Sequence, residues 1–445
     1  MAYTHTTLDS LLDDIAVLLD DPNELYWTRN EKIYAIWEAL RVWGGLTSYW
    51  RTRGIVPLDP SSPSPFYDLS TALPDLRPRA WTLGQLTAEI QYALLEAANG
   101  ISGIGMSGQV SIESVLDAIT RARNRFVLDS HIPYAITSIP TSPPPDGLVA
   151  FAQTSVYVHR VSWQDDFSGK WANLWREDAW AADRSNMGWT GQAGDPASYS
   201  ESEQSPLKIQ LVPPPANSGN LEIVSVDSLA IDQTNAGALL GVPDEWIYAI
   251  KYGALSDLLA AESKNKDPLR AQYAQMRYDQ AVTLAKGAKS AIRVLLNGQP
   301  LNLDSLAALD ATSPYWRNQI GPPDTAALLY DVLAISPLPD QDYGLSVDIV
   351  QAAPLPQPGP NGFIQIGLED LPNLIDYVTH VLTFKCGGNE FKATWAQYDD
   401  FMTAVQARGG INKAKIRYLQ AAFDQSEKEE GERPNKIAGK EAARA

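Results

Sequence analysis

The stretch beginning at Leu211 reads LVPPPANSGNLEIVSVD, and the stretch beginning at Ile335 reads ISPLPDQDYGLSVDIVQ. Each pairs a proline-marked turn with an alternating strand pattern. Pro213 and Pro337 stand 124 positions apart, as do Pro215 and Pro339, Leu221 and Leu345, and Val226 and Val350. Downstream, Ile250 and Ile375, Tyr252 and Tyr377, and Tyr273 and Tyr398 share an offset of 125. A chain that repeats a hairpin and a helix pair is a tandem of small α+β modules, which suits scaffolds and rings better than a single enzyme cleft. Coincidence is the competing account, because any such unit wants Pro and Gly in its turn and aromatics under its helices.

The pattern along the chain divides it into five segments. Residues 1–137 are a helical region. Leu8, Leu11, Leu12, Ile15, Leu18 and Leu19 fall at helical spacing, and Thr28–Glu31 reads as a capping box for a second helix to Gly45 that should pair with the first. The Pro- and Ser-rich residues 57–79 read as an extended surface strap. A third helix is expected from Thr82, in capping-box register with Gln85, to about Ala98. A glycine-rich loop (99–109) and a fourth helix follow, the latter ending near Ser130. Residues 138–235 are β-rich, with a strand over 151–163 and a hairpin over 207–227. Residues 236–298 are helical, and after a loop (297–325) residues 299–424 form an α+β module that repeats 211–290. Residues 425–445 are a charged tail. The fold class is therefore α+β: an N-terminal helical bundle, a hairpin or sandwich-like β insertion, and a second hairpin-plus-helices module.

Net charge and residue usage exclude several functions. With 445 residues the chain is long enough for two to four domains. A formal net charge of −18 repels nucleic-acid phosphates, so a basic reading groove is not expected, although an acidic wall lets DNA pass. The single cysteine, Cys386, rules out an intrachain disulfide framework and a cysteine zinc site. The N-terminus lacks the basic and apolar regions of a signal peptide, and no stretch has the length of a membrane helix. A soluble protein folded in a cytoplasm is expected.

Catalytic constellations are sparse. His5, His131, His159 and His380 share no metal-ligand spacing, and there is no H-E-x-x-H, G-x-S-x-G, Walker or strand-fed G-x-G-x-x-G pattern. The residues offering most to an enzyme are Asp165, Asp166, Glu177 and Asp178 among Trp163, Trp171, Trp175 and Trp180. Carboxylates beside aromatic platforms serve glycosidases. The plainer reading makes the tryptophans interface anchors. No catalytic, metal or cofactor-binding residue is assigned, and no cofactor is expected.

Three stretches carry a resemblance to a known family. LLDDIAVLLDDPNELYWTRNEKIYAIWEALRVWGGLTSYW resembles the N-terminal helices of tailed-bacteriophage head-to-tail adaptor (connector or neck) proteins. SVYVHRVSW and PLKIQLVPPPANSGNLEIVSVD resemble their β insertion. VPDEWIYAIKYGALSDLLAAE and DPLRAQYAQMRYDQAV resemble their helical return. The resemblance covers roughly residues 7–290, and this chain continues well beyond it. It implies a non-enzymatic virion structural protein, assembled in the host cytoplasm and located in the neck. Such proteins form a ring, commonly of twelve copies, beneath the portal, joining capsid to tail while DNA passes through. The implied partners are further copies of the chain, the portal protein and a tail or collar protein, with no membrane. Asp13, Asp14, Asp20 and Asp21 are candidates for the lumen wall, and Trp163, Trp171, Trp175 and Trp180 for the interface. The alternatives are a collar, tail-tube or baseplate component, or a glycan-cleaving enzyme.

Overall fold

The computed structural model describes residues 6–61, 64–95, 110–141, 147–150, 155–185, 188–201, 208–228, 230–261, 266–313 and 315–408. The glycine-rich loop, His5 and the charged tail lie outside them. The chain opens with α1 (Leu8–Leu18), α2 (Arg29–Thr47), β1 (Arg51–Leu58), β2 (Phe66–Asp68) and a short α3 (Leu69–Ala72). Next come α4 (Leu83–Ala93), α5 (Ile112–Ser130), β3 (Tyr134–Thr141), β4 (Leu148–Ala150), β5 (Ser155–Asp165) and β6 (Trp171–Arg176). These lead to α6 (Ala179–Ser185), β7 (Ser198–Glu201), β8 (Lys208–Val212), β9 (Gly219–Asp227), α7 (Ile247–Ala260) and α8 (Pro268–Ala285). The last part holds β10 (Ala291–Leu296), β11 (Gln299–Pro300), β12 (Asn302–Asp304), α9 (Leu306–Thr312), β13 (Thr325–Leu329), β14 (Val332–Ser336) and β15 (Tyr343–Val350). It ends with α10 (Leu371–Thr383), α11 (Gly388–Ala393) and α12 (Trp395–Arg408).

Neither proline turn closes a hairpin. β8 pairs with β7 and β4, whereas β9 pairs with β3 and β5. β14 pairs with β13 and β2, whereas β15 pairs with β1 and β10. Both turns carry the chain from one layer of strands to another, and the peptide bonds before Pro213 and Pro337 are both cis. The two strands flanking each turn alternate because each has one face on a core. Ile209, Leu211, Leu221 and Ile223 share one core, and Leu333, Ile335, Leu345 and Val347 share the other.

The repeat extends well beyond these turns. The inserted strands run in the order β3-β9-β5-β6-β7-β8-β4. The others run β1-β15-β10-β11 and β12-β13-β14-β2, the same order with β6 replaced by two pieces either side of Leu301. The registers agree residue for residue. Tyr134 faces Val226 as Arg51 faces Val350, and Ala150 faces Lys208 as Asp68 faces Val332. The parallel pair Trp175–Ser198 returns as Asn302–Thr325. Buried Trp189 donates through its indole nitrogen to Asp183 at 2.9 Å, and buried Trp316 does the same to Asp310 at 2.8 Å.

The helices obey the same correspondence. α1 and α4 each have 11 residues and a threonine N-cap, Thr7 or Thr82, that pairs with Phe363 or Leu239. α2 and α5 each have 19 residues, capped by Thr28 or Ser111 and closed by left-handed Ser48 or His131. α7 and α8 pack on α5 as α10 and α12 pack on α2. The molecule is thus two units of one topology. The inserted unit is residues 81–285. The flanking unit is assembled from residues 7–72 and 291–408, so the chain leaves it after α3 and returns at β10.

Several expectations are corrected on this basis. The C-terminal module does not stand alone, because its central strand β15 needs β1 and its helix α10 needs α2. Residues 57–79 are no surface strap: Leu58, Phe66 and Leu69 are buried in the flanking unit's strands. AIRVLL is β10 and no continuation of α8, which stops before Gly287 with its φ of +71. The expected loop 297–325 contains β11, β12 and α9. The Thr82–Gln85 capping box is complete, but at Thr28 only the threonine half forms, because the Glu31 carboxylate pairs with Lys385 at 2.8 Å instead. Helices of both units share a single apolar cluster running from Leu8 to Val405.

Candidate functional site

The most highly organised polar chemistry lies where the two units meet. Tyr252 on α7 and Tyr273 on α8 correspond to Tyr377 on α10 and Tyr398 on α12. All four rings surround the Arg277 guanidinium, with centroids 4.9 to 5.9 Å from it. Arg277 is buried and, among the described residues, forms no ion pair with a carboxylate. It donates to the Tyr377 hydroxyl at 2.6 Å and the Tyr273 hydroxyl at 2.9 Å. Those contacts fix the direction of every proton beyond them. Tyr377 donates to Glu38 on α2 at 2.9 Å, and Tyr252 donates to the same oxygen at 3.0 Å. The other Glu38 oxygen takes an ion pair from Lys251 on α7. In the opposite direction, Tyr273 donates to His380 Nε2 at 2.6 Å, leaving Nδ1 to donate to Thr394 at 2.9 Å.

The protonation states follow from this wiring. Burial opposes the charge on Glu38, but Lys251, Arg277 and Tyr377 outweigh it and hold its carboxyl below the usual range. Burial, reinforced by Arg277, keeps His380 neutral, well below its ordinary value. Burial pushes Glu89 up despite Lys251 and Arg41 beside it. The Arg277–Tyr377–Glu38–Lys251 part of this network is paired throughout, whereas Arg41 and Glu89 beside it keep buried polar atoms without a hydrogen-bond partner. Displacing the paired part strands a charge in low dielectric.

Two further junctions join the units. Arg77 binds Asp331 at 3.0 Å, pairs with Glu245, and donates to Tyr330 at 2.7 Å, while Trp246 donates to Tyr330 at 2.9 Å. Between the strand layers, Arg317 pairs with Glu222 at 2.6 Å and lies 3.9 Å over the Trp171 ring. Arg160 makes a bidentate bond to Asp310 at 2.8 and 2.9 Å. Beside this pair opens a cleft of about 400 Å³, lined by Trp171, Asn173, Trp175 and Tyr315 among others.

The sequence-nominated residues divide. Trp163 is 3% exposed in the inserted unit's strand core, and Trp171 is buried under Arg317, so neither is a free interface anchor. Trp175 and Trp180 are 76% and 79% exposed. Asp13, Asp14 and Asp20 are exposed, and Asp13 lies 3.4 Å from Arg29. Asp21 is no wall residue: it is buried, accepting the backbone N–H groups of Leu25, Tyr26 and Trp27 at 2.8 to 2.9 Å. The carboxylates offered to a glycosidase stand at opposite ends of the six-residue β6, Asp165 beside Trp171 and Glu177 beyond Arg176. That strand is about 20 Å long, too far for two carboxylates to flank one glycosidic bond. Asp165 instead caps its turn through Ser168 at 2.8 Å, which holds its carboxyl low. Among the described residues no group of three His, Cys, Asp or Glu could hold a metal ion.

Missed from sequence was the meeting of the repeated tyrosines at Arg277 and Glu38. The offset of 125 was the signal that could have shown it. Two like units of one topology are thus joined by buried polar contacts. Residues 81–296 match the family described as SU10 adaptor protein, a phage head-to-tail adaptor family. The match spans the inserted unit and β10. No curated protein matches the chain.

Proposed function

We propose that this chain is a head-to-tail connector, forming a ring beneath the portal that joins capsid to tail and lets DNA through. The observation that carries the reading is the family match over one complete unit, residues 81–296. The build of the molecule agrees with it. Rigid units with buried polar joints transmit load without a moving cleft, and a ring needs two different faces on each subunit. The surplus of acids keeps DNA from adhering to the lumen, and Asp13, Asp14 and Asp20 are the exposed candidate acids of the first helical hairpin offered to that wall. Trp175 and Trp180 are offered as anchors for a tail or collar protein. No helix among the described residues is long and apolar enough to cross a membrane.

Electron cryomicroscopy of the virion, and of the chain mixed with its portal protein, tests this. The expected result is density for the chain as a ring coaxial with the portal. Density confined to the tail tube, baseplate or outer collar overturns it.

A further inference from the structure

The joint between the two units uses different faces on each side. The flanking unit offers α2: Tyr34 packs on Trp81 and Tyr92, Glu38 pairs with Lys251, and Arg41 pairs with Glu89 at 3.5 Å. The inserted unit offers α4 and α7. Such a contact is heterologous, and a heterologous contact leaves one face open at each end.

The correspondence between units identifies the open faces. On α5, the equivalents of Tyr34, Glu38 and Arg41 are Asp117, Arg121 and Asn124. Arg121 has 62% of its side chain exposed and, among the described residues, a single ion-pair contact, to Asp257 at 3.7 Å. On α1 and α10, the equivalents of Glu89, Tyr92 and Lys251 are Asp14, Val17 and Asp376. Val17 is 72% exposed. Asp14 and Asp376 make no hydrogen bond or ion pair among the described residues. Asp376 is half-buried with Asp400 beside it, and both burial and that neighbour raise its pKa. An acid so placed wants a cation.

The charges at the key position are exchanged. Within the chain, position 38 is acidic and faces a lysine. On the open faces, position 121 is basic and would face an aspartate. We propose that α5 of one copy docks on the α1–α10 face of the next, Arg121 meeting Asp376, repeating between chains the contact that joins the two units within one. The occupant is thus a second copy of this chain. Each chain fills two adjacent positions, so twelve adaptor positions need half as many chains. The proposal rests on the reading of the chain as a ring former, but not on where the ring sits.

The test is a charge exchange in the full chain, read by native mass spectrometry alone and on its portal protein. Arg121→Glu and Asp376→Lys should each raise the concentration needed for assembly about tenfold. Together they rebuild a pair of the Glu38–Lys251 type and should restore assembly. Circular dichroism verifies that each variant is folded. Single variants that assemble like the wild type overturn the proposal, as does a folded double variant that stays apart, or a wild type monomeric under both conditions. Restored assembly without neck density would keep this interface and sink the connector function.

Discussion

Arg277 of the inserted unit donates a 2.6 Å hydrogen bond to the hydroxyl of Tyr377 of the flanking unit, which in turn donates its O–H to the Glu38 carboxylate at 2.9 Å. The position equivalent to Arg277 is Met402, a buried apolar residue. Arg277→Met therefore removes two donors but leaves Tyr377 and Tyr273 with their acceptors. A loss of about 2 kcal/mol is expected. Glu38→Ala is worse, because it removes the acceptor of two tyrosines and leaves Lys251 in the interior with a 3.7 Å ion-pair contact to Glu89 alone among the described residues, and about 3–5 kcal/mol is expected. Urea unfolding of the two variants checks the order; a milder effect of Glu38→Ala contradicts the wiring.

Asp244 gives a pH signature. Burial raises its carboxyl to about 6, although Trp81 and Ala80 donate backbone N–H groups to it at 3.0 and 2.9 Å. Its folded pKa lies above the unfolded one, so its contribution is full below about pH 4 and is lost as pH rises through 6. The loss amounts to about 3 kcal/mol. Asp244→Asn keeps an acceptor oxygen for both N–H groups. The variant should be more stable than the parent above pH 6, with the difference vanishing near pH 4. Thermal melts across that range decide it.

His380 works in the opposite sense. It is neutral in the fold, and its pKa is depressed far below the ordinary value by burial and by Arg277. The unfolded chain takes up its proton near pH 6.5, so stability from this group is present above that pH and falls below it. His380→Gln should remove that part of the acid slope while costing about 1–2 kcal/mol at pH 7.5 through poorer bonding to Tyr273 and Thr394. An unchanged slope in the variant would show that other groups set it.

The local elements were largely legible. The apolar spacing of Val115, Ile119, Ala122 and Phe126 and the Ser111 cap announce α5, and Thr82 with Gln85 announces α4. Strand partners were not legible. Alternation says that β8 and β9 each have a buried face, but a proline turn looks the same whether the chain folds back or crosses to another layer. The nesting escaped for a related reason. Its upstream half repeats at spacings of 75, from Thr7 to Thr82, and 83, from Thr28 to Ser111, and its downstream half at 124 to 127 over the turns, helices and Trp189. A search at one spacing sees only the second. The hub was hidden because Tyr252, Tyr273, Tyr377 and Tyr398 each read as ordinary aromatics under a helix. Only folding brings them around one arginine.

The four tryptophans nominated from sequence separate fold from docking. Trp163 and Trp171 are buried, the first in the strand core and the second under Arg317. Replacing either with alanine removes a large buried ring, and about 3–5 kcal/mol of destabilisation is expected. Trp175 and Trp180 face solvent, so Trp175→Ala and Trp180→Ala should leave the melting temperature within a degree or two of the parent. If they anchor a tail or collar protein, the same two variants should fail to incorporate it into particles while still assembling on the portal. Melting curves test the first half and particle composition the second. Normal particles from the folded double variant would remove these tryptophans from the interface and leave the buried pair purely structural.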